Sequence, residues 1–348
     1  MNMASRGRWV DMASRGRRVD MASRGRWAGA VLAALTLLAV LAGCAGAPQP
    51  PAGDPGFAAA RPLGVHDPAV AESAAAGTPT TTCDPFASLR PPASLPVPGQ
   101  MPAGSAMARI AARGRLVVGV DQNTYLFGYR NPATGQIEGF DIDVAREVAR
   151  AIFGDPDRIQ LIAITSAQRI PVVNDGTVDL VAHTMTINCA RLRQVSFSTV
   201  YYEAGQRVLV NRTSTARGMA DLGGKKVCAA AGSTSIQNIQ AAANKPIPVS
   251  VLDWTDCLVL LQQGQVEAVS TDDTILLGMA QQDPNTQLVG PRFTSEPYGL
   301  AIAKSAPELV RFVNGVLDRM RANGRLAAIG QHWLGVGAPA PPPSKYQD

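Results

Sequence analysis

The sequence predicts an α/β protein of two lobes, each built on a doubly wound sheet and joined to the other by two hinge strands. Three observations predict it. Short β-rich runs alternate with helix-period segments over 110–207, the alternation repeats over 212–292, and the chain then returns to the first group over 298–335. Strands and helices of this length in alternation build parallel sheets covered by helices on both faces. A chain that leaves one such group and comes back crosses between the groups twice. The expected boundaries are 103–207 plus 298–337 for lobe 1 and 208–297 for lobe 2.

The elements follow in order. RLVVGVD (115–121) is a β-rich run after a helical segment that ends at Gly114. DIDVAREVARAIF (141–153) has apolar residues at 142, 144, 145, 148, 149 and 152, which is helical spacing, with Asp141 as N-cap. Residues 158–164 read as a strand, 170–175 as a helix stopped at Gly176, and 178–182 as a strand. After a strand at 208–211 and a polar connection, the strand 226–231 runs into Gly232-Ser233-Thr234-Ser235 and a helix. The strand 249–253, the helix 255–263 ending at Gly264 and the strand 266–271 repeat the unit. In open α/β sheets ligands sit beyond the carboxyl ends of the strands; in two lobes those ends face each other across a cleft.

The first hundred residues do not read as globular. Residues 3–27 repeat one phrase three times, MASRGRWVD, MASRGRRVD and MASRGRWAG. Solenoid units run to about 20–50 residues, so this reads as a triplicated start region, with Met21 a candidate start. Arg24 and Arg26, an apolar run at 28–42 and Leu41-Ala42-Gly43-Cys44 complete a secretory signal over 1–43. LAGC resembles the bacterial lipobox, which implies cleavage before Cys44 and lipidation of its sulfur. Extended to Ala47 the run is just long enough to span a bilayer, but the small residues around Cys44 favour the lipoprotein. Residues 44–102 are rich in Pro, Ala, Gly, Ser and Thr and read as a tether, and 338–348 as a disordered tail.

The formal charge of +5 suggests a polyanion partner only until its location is read. Residues 1–43 hold seven Arg and two Asp, so 25 basic and 25 acidic residues remain in 44–348. A neutral mature chain gives no case for nucleic acid. Setting Cys44 aside leaves Cys83, Cys189, Cys228 and Cys257, an even number that suggests two disulfides in an exported chain. Three connectivities are possible. The expected one is Cys228–Cys257, within one lobe, and Cys83–Cys189, tying 83–100 to the other. Zinc is the competing reading, but no two cysteines have finger spacing and no histidine flanks them.

Catalysis finds little support. His66 lies in the tether and His332 in the final helix, leaving His183 near the strand ends. No Ser-His-acid order, metal spacing or phosphate loop is present. Asp141 and Asp143 at a helix start suit capping and dipole complementation better than paired carboxylate chemistry. No enzyme, cofactor or metal is expected.

Six segments then resemble one family. GFDIDVAREVA (139–149), SAQRIPVVNDGTVDLV (166–181), MTINCARLRQVSFSTVYYEAGQ (185–206), DLGGKKVCAAAGSTS (221–235), QGQVEAVSTDDTILLGMA (263–280) and EPYGLAIAK (296–304) are similar to the family 3, polar amino-acid-binding proteins of ABC importers. The likeness covers about 110–335, is nearest to glutamate and aspartate binders of actinobacterial type, and implies a two-lobed periplasmic-binding-protein fold. It also implies site roles. Arg191, five residues after Thr186, would fork onto a ligand α-carboxylate, with Thr186, Thr184 and the Ser233-Thr234 turn as further donors. Capping is the competing reading for Ser233 and Thr234. Asn188 stands where the family usually has Thr or Ser.

Asp272 aligns with the aspartate for the α-ammonium, its neighbour Asp273 being explained by capping. Ser166 and Arg169, an S-x-x-R pair, would take a side-chain carboxylate and select glutamate or aspartate over the amides. Pairing of Arg169 with Asp121 is the alternative. Asp121 ends the first strand near the site, where Tyr125 or Phe127 would wall a pocket or serve the core. The implied protein is a monomer, lipid-anchored on the outer face of the cell membrane, presenting an amino acid to an ABC permease. A membrane signalling receptor is the alternative partner, and an exported lyase or dehydratase the more distant reading.

Overall fold

The computed structural model describes residues 59–70, 83–335, 339–340 and 342–348. The expected signal segment 1–43, the expected lipidation site Cys44 and the tether residues 44–58 and 71–82 therefore lie outside the described residues.

Along the chain, strand β1 (Ala87–Ser88) precedes helix α1 (Ala106–Arg113) and strand β2 (Leu116–Val120). A small antiparallel sheet follows, made of β3 (Asn123–Thr124), β4 (Gly128–Arg130) and β5 (Ile137–Glu138). Helix α2 (Phe140–Phe153) buries Ile142, Val144, Ala145, Val148, Ala149 and Ile152, the stripe its spacing predicts. Then come β6 (Ile159–Ala163), α3 (Arg169–Asn174), β7 (Leu180–Ala182), α4 (Cys189–Leu192) and β8 (Ser196–Phe197). Strand β9 (Tyr202–Ala204) crosses to the second lobe.

That lobe contains β10 (Gln206–Asn211), β11 (Lys226–Ala230), α5 (Thr234–Ala241), β12 (Ile247–Val251), α6 (Trp254–Gln262), β13 (Ala268–Asp272), α7 (Asp273–Gln282) and β14 (Thr286–Val289). Strand β15 (Glu296–Tyr298) returns, and β16 (Ala301–Ile302), α8 (Pro307–Ala322) and α9 (Arg325–Leu334) complete lobe 1. A last strand, β17 (Lys345–Tyr346), lies near the carboxyl end.

The two main sheets have strand orders β6-β2-β7-β16-β8 and β12-β11-β13-β10-β14. Strand β2 runs parallel to β6 and β7, and β11 parallel to β12 and β13. The expected parallel strands are there, and within each sheet one strand runs the other way: β16 is antiparallel to β7 and β8, and β10 to β13 and β14. These are the strands that follow the crossings. The parallel strands end at the cleft, so a chain entering from the cleft runs the other way. Crossings β9 and β15 pair antiparallel, Tyr202 opposite Tyr298 and Ala204 opposite Glu296. Gln206 and Arg207 already pair with Asp272 and Thr271, so the second lobe begins before 208.

The lobe 1 sheet is covered on both faces. Leu116, Val118 and Val120 point to one core with Val148 and Phe312, while Val117 points to the other with Val173 and Ile187. Lobe 2 closes around Val227, Ala229, Leu260 and Val269. Each fully buried large aliphatic contributes about 1.5–3 kcal/mol. Disulfides join Cys83 to Cys189 and Cys228 to Cys257, so α4 is tied to the amino-terminal segment and β11 to α6.

Three expectations need correction. Asp141 is not the cap of α2; Gly139 is, without a side-chain bond. The described part of the tether is ordered. His66 forms a β-bridge with Ser250, its amide 2.9 Å from the Ser250 carbonyl oxygen, and Asp67 pairs with Lys226 at 2.7 Å, while Leu89 and Leu95 pack on the lobe 1 core. The described part of the tail is ordered too, since β17 pairs parallel with β1 and the Arg90 amide donates to Asp348 at 2.7 Å. Such segments cannot bury a core of their own, but they add single apolar and ionic contacts to a surface already folded.

Candidate functional site

Strand β7 ends at Ala182 and the chain turns sharply into the cleft. Thr184 has φ 41°, a left-handed conformation uncommon for a β-branched residue. Its amide donates to Asp141 Oδ2 at 2.7 Å, and the Tyr201 hydroxyl donates to Asp141 Oδ1 at 2.6 Å. Burial pushes the Asp141 carboxyl up to about 7, against the pull of these two bonds.

The carbonyls flanking this turn receive two arginines. Arg169, at the start of α3, donates through Nη1 to His183 O at 3.2 Å and through Nε to Ser166 O at 2.8 Å. Arg191, on α4, donates through Nη1 to Thr186 O at 2.7 Å. Both guanidiniums reach across the cleft, each Nη2 lying 3.1 Å from Gly232 O in the other lobe. Arg169 is 3% exposed, and burial, reinforced by the Arg191 charge, draws its pKa down to about 9, so it stays a cation at neutral pH.

Lobe 2 supplies the acid that faces them. Asp272 ends β13, and its Oδ2 accepts from the Tyr298 hydroxyl at 2.6 Å, while buried Oδ1 has no hydrogen-bond partner. Burial, and next the charge of Glu296, raise its carboxyl to about 8. The Trp254 indole nitrogen is likewise buried and without a partner. Ser233 caps α5, its Oγ accepting from the Ile236 amide at 3.2 Å and donating to Ala230 O at 2.6 Å. Thr234 Oγ1 donates to Glu296 at 2.9 Å.

Arg169, Thr184, Thr186, Arg191, Ser233, Thr234, Trp254 and Asp272 line one cavity of about 10 Å³. An open groove of about 580 Å³ adjoins it, sharing both guanidiniums and adding Ser166, Asn188 and Gln237. The lobes meet closely around it. A Cβ on Gly232 would lie 2.6 Å from Ala167 Cα, and one on Gly278 would lie 2.6 Å from the Tyr125 carbonyl oxygen.

Other residues named from the sequence lie elsewhere. Asp121 is folded onto its own loop, accepting from the Asn123 amide at 2.8 Å and Thr124 Oγ1 at 2.6 Å, and does not line the cavity. It stands 3.6 Å from His183 Nε2, and Arg169 makes its hydrogen bonds to carbonyls. Phe127 belongs to the core with Phe140 and Tyr202, and Tyr125 packs edge-on against Tyr129. Asn188 caps α4 through the Arg191 amide, and Asp273 pairs with Arg292 at 2.6 Å. Asp143 accepts from the Trp333 indole at 2.8 Å, so Asp141 and Asp143 serve separate places. Reading the sequence missed Trp254, Gly232 O, Tyr298 and the true place of Asp141. None has a spacing signal, though Asp141, Gly232 and Tyr298 fall within the quoted family segments.

Comparison with known proteins agrees with this architecture. The family model for bacterial extracellular solute-binding proteins, family 3, matches residues 116–336. The chain is 41% identical over 229 residues to the ABC transporter glutamine-binding protein GlnH of Bacillus subtilis, covering 66% of this chain and 84% of that protein. It is 31% identical over 235 residues to the glutamate-binding protein GluB of Corynebacterium efficiens, covering 64% and 79%. Among solved structures, an ancestral arginine-binding protein bound to glutamine aligns with TM-score 0.60 and 32% identity over 64% of this chain and 99% of that one. Holo ArgBP from T. maritima aligns with TM-score 0.60 and 28% identity, over 66% and 100%. A chain with two α/β lobes, two paired crossings and a charged cleft between them, matched over residues 116–336, belongs to the bacterial extracellular solute-binding proteins of family 3.

Proposed function

We propose that this chain is an exported lipoprotein that binds glutamate or aspartate, or their amides, between its lobes and presents the amino acid to an ABC permease. The observation that carries the reading is the charge pattern of the cleft: two buried guanidiniums, Arg169 and Arg191, stand with an unpartnered carboxylate oxygen of Asp272 at one cavity. A free amino acid is a zwitterion, so Arg191 matches its α-carboxylate, and Asp272, protonated in the empty cleft and ionised by the entering α-ammonium, matches that cation. Arg169, with Ser166, is then one cation in excess, the complement of a side-chain carboxylate. An amide would offer the same site only a carbonyl oxygen, and a charged hydrogen bond contributes roughly 1.5–3 kcal/mol, so the acids are the preferred ligands.

The glutamine- and glutamate-binding relatives support an acidic or amide ligand. Lipidation at Cys44, a monomeric state and the permease as partner belong to the same reading. Binding acts by shifting the lobes toward the closed form that the partner recognises.

A thermal shift of residues 45–348, disulfides intact, against the twenty amino acids tests the ligand. Ligand at about a hundred times its dissociation constant adds about 2.7 kcal/mol. Shifts confined to glutamate, aspartate and the amides are the expected result. A shift with arginine and not with glutamate would overturn the specificity.

A further inference from the structure

We infer that Asp141 is a positioning residue for solute binding: by holding the Thr184 amide it fixes the turn whose flanking carbonyls carry both cleft guanidiniums. The inference rests on the binding reading above and deepens it. Asp141 is 1% exposed and lines no part of the cavity, so it acts through other groups.

The geometry is specific. A carboxylate in the first turn of a helix ordinarily complements the helix dipole from the surface. The Asp141 oxygens instead serve two partners outside α2, the Thr184 amide at 2.7 Å and the Tyr201 hydroxyl at 2.6 Å. Thr184 needs such an anchor because φ 41° is disfavoured for a β-branched residue. Released from it, Thr184 would relax toward negative φ and rotate the peptides on either side. One neighbour, His183, holds Arg169 by its carbonyl, and Thr186, two residues on, holds Arg191. A rotation at 184 therefore displaces both cations together.

The same anchor reaches the hinge and the anion. Tyr201 immediately precedes β9, and its amide donates to Tyr298 O at 3.0 Å. The Tyr298 hydroxyl in turn donates to Asp272. One buried carboxylate thus registers the two cation supports against the crossing strands and the opposing carboxylate.

The test is calorimetric titration of glutamate and of glutamine into the mature chain and two variants. Asp141→Ala is expected to lose at least about tenfold in affinity for both ligands, since the supports of both arginines move. Asp141→Asn should stay within about threefold, because its amide oxygen accepts from Thr184 and its NH₂ donates to the Tyr201 oxygen. Asp141→Ala with wild-type affinity overturns the inference. Should Asp141→Ala fail to fold, Asp141→Asn decides: folded but more than about tenfold weaker, it overturns the inference. A wild-type chain that binds no amino acid refutes the binding reading and this inference with it. A wild-type chain that binds beside an unaffected Asp141→Ala refutes this inference alone.

Discussion

Gly278 separates closure of the lobes from their stability. It lies inside α7, and a Cβ there would sit 2.6 Å from the Tyr125 carbonyl oxygen of the opposite lobe. Two effects act on Gly278→Ala in opposite directions. Within the helix, alanine is favoured over glycine by about 0.8–1.0 kcal/mol, whatever the lobes do. Between the lobes, the methyl must push a backbone oxygen back to ordinary contact, and overpacking of this kind costs about 1–3 kcal/mol. That cost falls only on the closed form. Affinity for glutamate should therefore drop by about five- to 150-fold while lobe 2 resists urea better. Titration calorimetry and urea unfolding without ligand read the two effects separately. Unchanged affinity would refute closure along this contact. Affinity and stability falling together would show that Gly278 serves packing within its own lobe.

Two further outcomes follow from the cleft. Arg169→Ala should weaken glutamate and aspartate far more than glutamine and asparagine, by about ten- to a hundredfold, in competition titrations; equal losses for all four would make Arg169 structural. Asp272 is raised to about 8 in the fold, so the folded chain holds a proton between about pH 4 and 8 that the unfolded chain lacks, and stability falls as pH rises through that window. Asp272→Asn should then be the more stable protein at pH 8 by on the order of a few kcal/mol, lose that advantage near pH 4, and bind no amino acid. Thermal unfolding across pH tests this, and a pH-independent difference would contradict it.

What the sequence made legible was the part written in local periodicity. The apolar spacing of α2 and the strand–helix alternation report burial directly, and seven of the residues named from the sequence line one cavity. Direction of travel was not legible. That β10 and β16 run antiparallel follows from where the chain re-enters each sheet, a property of the crossings and not of 206–211 or 301–302 themselves. Asp141 was misread because capping and burial draw on the same residue type, and only the approach of Thr184 and Tyr201 from distant elements distinguishes them. Asp121 was placed at the site from its position at a strand end, yet its carboxylate is satisfied by the next turn. The described parts of the tail and the tether were misjudged for a related reason: their order comes from the lobes they rest on.

The most direct measurement is an equilibrium titration of glutamate against the wild-type chain and Arg191→Ala. The account predicts saturation at one glutamate per wild-type chain and no measurable binding to the variant, because the ligand α-carboxylate would be buried without its cation. Binding of glutamate with equal affinity to both proteins would contradict the claim that the solute is held between the lobes by Arg191.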